Sequence, residues 1–132
     1  MNLTIGKLAS AAGVGVETIR FYQKRGLVAQ PDKARGYRQY KADDVARIQF
    51  IKRAQGLGFT LNEINELIEL DQDQSAECGD LQAHANEKIR VIDEKLADLT
   101  RMRAELVNLA ASCDSGQPLA ECRLMNCLSG RC

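Results

Sequence analysis

No apolar run in this 132-residue sequence approaches the ~18–20 residues that a membrane helix needs, so a spanning segment is not expected. The first residues, Met1 to Lys7, have neither the charged start nor the apolar core of a signal peptide, and the cytoplasm is the expected compartment. Thiols stay reduced there, so the five cysteines read as ligands or redox groups rather than structural bridges. Histidine occurs once, at His84, which reads as a surface residue rather than a ligand. No nucleophile–base pair and no nucleotide-cradling loop argues for an enzyme.

Net charge is also missing, but its absence conceals a polarity. Met1 to Leu57 holds eleven Lys and Arg against four acids, a balance of +7, which leaves −7 for the remainder. A basic half joined to an acidic half fits a polyanion-binding head and a non-binding tail.

The head divides into short helices. Ile5, Leu8, Ala9 and Ala12 recur at helical spacing and stop at Gly13; a second helix runs from about Val16 to Lys24, before Gly26. Two short helices around a Gly-containing turn outline a helix-turn-helix. Pro31, Asp32 and Gly36, followed by Tyr37-Arg38-Gln39-Tyr40, predict a hairpin wing. A helix then starts at Asp43 and Asp44 and reaches about Leu57. Thr60 with Glu63 predicts a capping box for a fourth helix, and Glu69 to Glu77 reads as a connection.

The longest predicted helix runs from about Cys78 or Asp80 to Ser112. Its stripe (Ala85, Ile89, Ile92, Leu96, Leu99, Leu106, Leu109) is narrow and needs a partner helix that this chain does not contain. A homodimer supplies one; packing of the helix back onto its own domain is the rival reading. After Ser112 the sequence is loop-like, and Met125 to Cys132 reads as a frayed tail. The expected organisation is therefore a DNA-binding domain over residues 1–70, a linker and dimerisation helix over 71–112, and a metal-binding loop and tail over 113–132.

On the second helix Arg20 and Lys24 reach phosphates, and Thr18 is small enough to approach base edges. Phe21, Tyr22 and Tyr37 read either as DNA contacts or as local core, and Arg38 as a cationic contact from the wing. The runs Leu3-Thr4-Ile5-Gly6-Lys7-Leu8-Ala9, Val16-Glu17-Thr18-Ile19-Arg20-Phe21-Tyr22, Gly26-Leu27, Gly36-Tyr37-Arg38-Gln39-Tyr40 and Leu57-Gly58-Phe59-Thr60-Leu61 resemble the MerR family of regulators. The resemblance implies a mainly α fold: a winged helix-turn-helix, two further helices, a long antiparallel coiled-coil dimerisation helix and a C-terminal metal-binding loop. It also implies double-stranded promoter DNA and RNA polymerase as partners, with regulation by twisting and bending the promoter. DNA deformations of about 1–6 kcal/mol suffice for such a switch.

Cys78 and Cys113 stand 35 residues apart, which on a continuous helix is about 52 Å, too far to share an ion within one chain. In an antiparallel pair Cys78 of one chain meets Cys113 of the other, and the loop with Gly116 and Pro118 folds Cys122 back towards them. Three thiolates select a soft metal, and trigonal sulfur suits Hg(II). The pattern of one Cys at the start of the helix followed by Cys-x8-Cys resembles the mercury-responsive branch. Cys127 and Cys132 depart from it: they complete a tetrahedral zinc or cadmium site, relay metal inward, or are incidental. Open alternatives are a Cd(II)-, Pb(II)- or Zn(II)-responsive regulator of the same fold and a thiol-based metal-buffering or redox protein.

Overall fold

The computed structural model describes residues 3–31 and 39–131. They form six α-helices in two compact units, residues 1–84 and 85–132: α1 (Ile5–Ala12), α2 (Val16–Lys24), α3 (Ala42–Gly56), α4 (Leu61–Gln72), α5 (Cys78–Ala111) and α6 (Arg123–Leu128).

In the first unit the helix ends are written locally. The Thr4 hydroxyl accepts from the Lys7 amide at 3.2 Å and starts α1; Gly13, at φ 72°, ends it in the left-handed region that glycine adopts without steric cost. At α3 the Asp44 carboxylate accepts the Lys41 amide at 2.8 Å. The expected capping box at α4 is present: Thr60 Oγ1 accepts from Glu63 N at 3.2 Å, and Glu63 Oε1 accepts from Thr60 N at 2.8 Å. Helix α4 continues to Gln72, so the first part of the stretch read as a connection is helical, and only the residues before Cys78 connect.

One core holds these helices. Leu8, Ile19, Leu27, Tyr40, Ile48, Ile51 and Ile64 are fully buried, and α3 packs against both α1 and α4. Tyr40 also forms a single antiparallel bridge with Leu3, closed by two 2.8 Å backbone hydrogen bonds. Most of the predicted wing, residues 32–38 with Tyr37 and Arg38 among them, lies outside the described residues.

The second unit contains most of α5 and the segment after it. No residue of the 34-residue α5 is buried. Ile89, Ile92, Leu96, Leu99 and Leu106 are 39–56% exposed, an apolar seam left open in a single chain. Ser112 closes the helix by donating its hydroxyl to the Leu109 carbonyl at 2.7 Å. The tail departs from the frayed segment expected: a 3-10 turn (Leu119–Glu121) leads through Cys122 into α6. No helix among the described residues is long and apolar enough to cross a membrane.

Candidate nucleic-acid interface and metal centre

Helix α2 divides cleanly. Ile19 and Tyr22 face the core, while Glu17, Arg20, Phe21 and Lys24 are exposed. At 100° per residue these four lie within an arc of about 100° on the opposite side. Thr18 sits at the border and is half-buried. The exposed face opens on a groove of about 830 Å³ to which Gln30 and Ile5 also contribute. Arg25 carries its guanidinium over the Phe21 ring, 5.6 Å from the centroid, a cation–π contact that stations a further positive charge beside this face. Sequence reasoning missed Arg25, although its i, i+4 spacing from Phe21 was the available signal.

Tyr22 corrects the expectation of a direct DNA contact. Its side chain is 3% exposed, and its hydroxyl donates to Gln55 Oε1 on α3 at 2.7 Å. Burial pushes the phenol pKa upward, so the group stays a neutral donor. Tyr22 therefore belongs to the core and fixes α2 on α3. The next residue makes a similar link, Gln23 Nε2 donating to the Tyr40 hydroxyl at 2.7 Å. Two of the eleven basic residues of this half are also engaged structurally. Lys52 Nζ donates to the Gly13 carbonyl at 2.9 Å, and Arg47 donates to the Leu27 carbonyl at 3.4 Å.

The three thiols expected as ligands occupy different settings. Cys78 is the first residue of α5 and is exposed; Cys113 follows the end of the same helix and is exposed; Cys122 precedes α6 and is largely buried. The turn between the last two is organised by Asp114, whose carboxylate accepts the Gly116 amide at 3.1 Å. Its fold lets the Cys113 thiol donate to the Cys122 sulfur. The two thiols are consequently unequal. The Met125 backbone amide, helped by that of Leu124 and by the Cys113 thiol, pulls the Cys122 pKa below the ordinary thiol value against the effect of burial. The charge on Cys122 in turn pushes Cys113 upward, and burial, its hydrogen bond to Cys122 and the charge of Asp114 add to the shift. Two adjacent thiols, one of them shifted toward the thiolate, are soft donors of the kind that select soft cations. Among the described residues of one chain, no group of three or more His, Cys, Asp or Glu side chains is gathered as a metal site.

Cys127 is half-buried on α6, and Cys132 lies outside the described residues. His84, read as a surface residue, is part-exposed, its Nδ1 3.9 Å from Glu66 of α4.

Residues 3–71 match the family described as MerR HTH family regulatory protein, and residues 45–109 that described as MerR, DNA binding. The mercuric resistance operon regulatory protein of Pseudomonas fluorescens is 46% identical over 130 residues, covering 98% of this chain and 89% of that protein. That of Bacillus cereus is 40% identical over 129 residues, covering 97% and 98%. Among solved structures, MerR from Bacillus megaterium MB1 in complex with mercury(II) aligns with a TM-score of 0.72 at 36% identity, over 94% of this chain and 96% of that one. PbrR691 from Ralstonia metallidurans CH34 in complex with lead(II) aligns with a TM-score of 0.87 at 31% identity, over 96% and 98%.

Proposed function

The chain belongs to the MerR family of HTH regulatory proteins, and on that premise we propose that it is a mercury(II)-responsive transcription regulator, repressing a mercuric resistance operon without metal and activating it with metal. The observation that carries this reading is the pairing of Cys113 with Cys122 at the end of a helix whose apolar seam is open. Two soft donors stand together, and the helix beside them is built to receive a second copy. In an antiparallel dimer the start of one α5 meets the end of the other, so Cys78 of the partner completes a three-sulfur set twice per dimer.

The residues fit a soft cation. All three donors are thiols, and Cys122 is already biased toward the thiolate that metal binding requires. Metal held there bridges the two subunits at both ends of the dimer helices and shifts the relation of the two DNA-binding heads. Each head uses Arg20 and Lys24 on phosphates and Thr18 and Phe21 beside the base edges, with Tyr37 and Arg38 adding contacts from the segment after α2. Tyr22 supports the helix from behind. The promoter follows the heads, and its twist and bend set whether RNA polymerase engages both promoter elements. Residues 1–70 act as the head, 71–112 as linker and dimer helix, and 113–132 as the metal loop and tail.

A lead(II)-responsive regulator is the second reading, favoured by the likeness to PbrR691 in its lead(II) complex. One experiment separates them. The dimer is titrated with Hg(II), Pb(II), Cd(II) and Zn(II) while thiolate-to-metal absorption and promoter transcription in vitro are followed together. Activation at the lowest free concentration by Hg(II) supports the proposal; activation by lead or zinc without mercury refutes it. A response to oxidant in the absence of metal would instead identify a thiol redox protein.

A further inference from the structure

The exposed face of α2 is cationic except at one point. Arg20 and Lys24 share the arc with Glu17, and Arg25 flanks it over Phe21. Glu17 is exposed in the first turn and, among the described residues, makes no ion pair or hydrogen bond with Arg20, three residues on. A carboxylate on a phosphate-binding surface opposes general affinity, because it repels the same backbone that Arg20 and Lys24 attract. Its position is also the end of a recognition helix from which side chains reach base edges in helix-turn-helix proteins.

From this juxtaposition we infer that Glu17 is a specificity-determining residue that reads a cytosine in the operator half-site. The inference rests on the DNA-binding reading above. A carboxylate only accepts hydrogen bonds, and in the major groove the donors are the exocyclic amines of cytosine and adenine. Adenine presents its N7 acceptor beside that amine, and two acceptors face each other if Glu17 approaches. Cytosine offers the amine without that adjacent acceptor. Guanine and thymine present acceptors at this edge, so at any base pair but the matching one the carboxylate is buried against acceptors or left without a donor. The charge thus lowers binding to all DNA and returns the loss at one base pair only, which widens the gap between operator and bulk DNA.

A local explanation exists as well, since an acidic residue in the first turn favours the positive end of the helix dipole. The two roles differ in what they move. Loss of helix stability weakens binding to every duplex alike, whereas loss of a base contact flattens the preference at one position. The test uses the full-length dimer and its operator, with each half-site base pair substituted in turn and with a non-operator duplex at the same salt. For the wild type, one C·G pair in each half-site should cost about tenfold or more when replaced, the size of a good base-edge contact. In Glu17→Ala the same replacement should cost no more than about twofold, while affinity for the non-operator duplex rises. Glu17→Gln, which keeps an acceptor without the charge, should retain part of the preference and still gain non-operator affinity. If the Glu17→Ala profile matches that of the wild type at every position, the inference is overturned, whatever its melting temperature. If the wild type itself fails to distinguish operator from non-operator DNA, it is the DNA-binding reading that fails.

Discussion

The Tyr22 hydroxyl donates to Gln55 Oε1 at 2.7 Å, which ties the back of α2 to α3 across 33 residues of sequence. The bond holds the exposed face of α2 in one orientation without using any group on that face. Tyr22→Phe keeps the ring in the core and removes only the hydroxyl. Stability should fall by about 0.5–1.5 kcal/mol in urea denaturation, the net worth of a typical hydrogen bond. Operator affinity of the folded variant should stay within about twofold of the wild type. A large loss of affinity with unchanged stability would return Tyr22 to the DNA-contacting set.

Basic residues on this half divide by what their cations already hold. Arg20→Ala should reduce the salt slope of DNA binding by about one phosphate contact while leaving the fold intact. Lys52→Met should do the reverse, because Lys52 satisfies the Gly13 carbonyl in the turn between α1 and α2. Because the bond is exposed to water, its loss should lower the unfolding free energy by only about 0.5–1 kcal/mol, with little change in slope. Binding isotherms at four or five salt concentrations, paired with denaturation curves, separate the two behaviours.

These assignments mark where local sequence carries structural information. The end of α1 was legible because Gly13 acts within one turn of the helix, and the capping box at Thr60 and Glu63 is equally local; the Thr4 cap is as local but went unread. The side of α2 taken by Tyr22 was not, since it depends on Gln55 of α3. Lys52 and Arg47 were counted with the polyanion-binding charge because their carbonyl partners lie 39 and 20 residues away. Helix α6 escaped notice because Arg123–Leu128 is too short for a periodic signal and no side chain caps its start. For the thiols, the loop with Gly116 and Pro118 already suggested that Cys122 folds back toward Cys113, and the turn held by Asp114 and Gly116 is the local device. The meeting of Cys78 with a partner's Cys113 belongs to a second copy and stays part of the proposal.

The open seam of α5 predicts how dimerisation fails. Leu96 and Leu99 are 55% and 56% exposed in a single chain, so a second copy should cover them. Leu96→Glu introduces a charge that cannot be buried there without pairing. Sedimentation at micromolar concentration should show a monomer, and binding to a two-half-site operator should weaken by at least an order of magnitude as the linkage between heads is lost. A variant that remains dimeric would move the interface elsewhere.

Mixed dimers test the metal site most directly. Suppose one protomer carries Cys78→Ser and its partner carries Cys113→Ser. In the proposed arrangement one end of the dimer joins the intact Cys78 of the second chain to the intact Cys113 and Cys122 of the first. The other end has lost two donors, because the first chain's altered position 78 meets the second chain's altered position 113. Each homodimeric variant, by contrast, lacks one donor at both ends. The isolated mixed dimer should therefore bind one mercury tightly and with the three-thiolate absorption of the wild type, at half its amplitude, while neither homodimer reproduces that spectrum. A site built within one chain predicts otherwise: neither protomer holds a complete set, so mixing restores nothing. Tagging the two protomers differently and titrating the purified mixed species with Hg(II) against a competing thiol distinguishes these outcomes by stoichiometry alone, without relying on promoter activity.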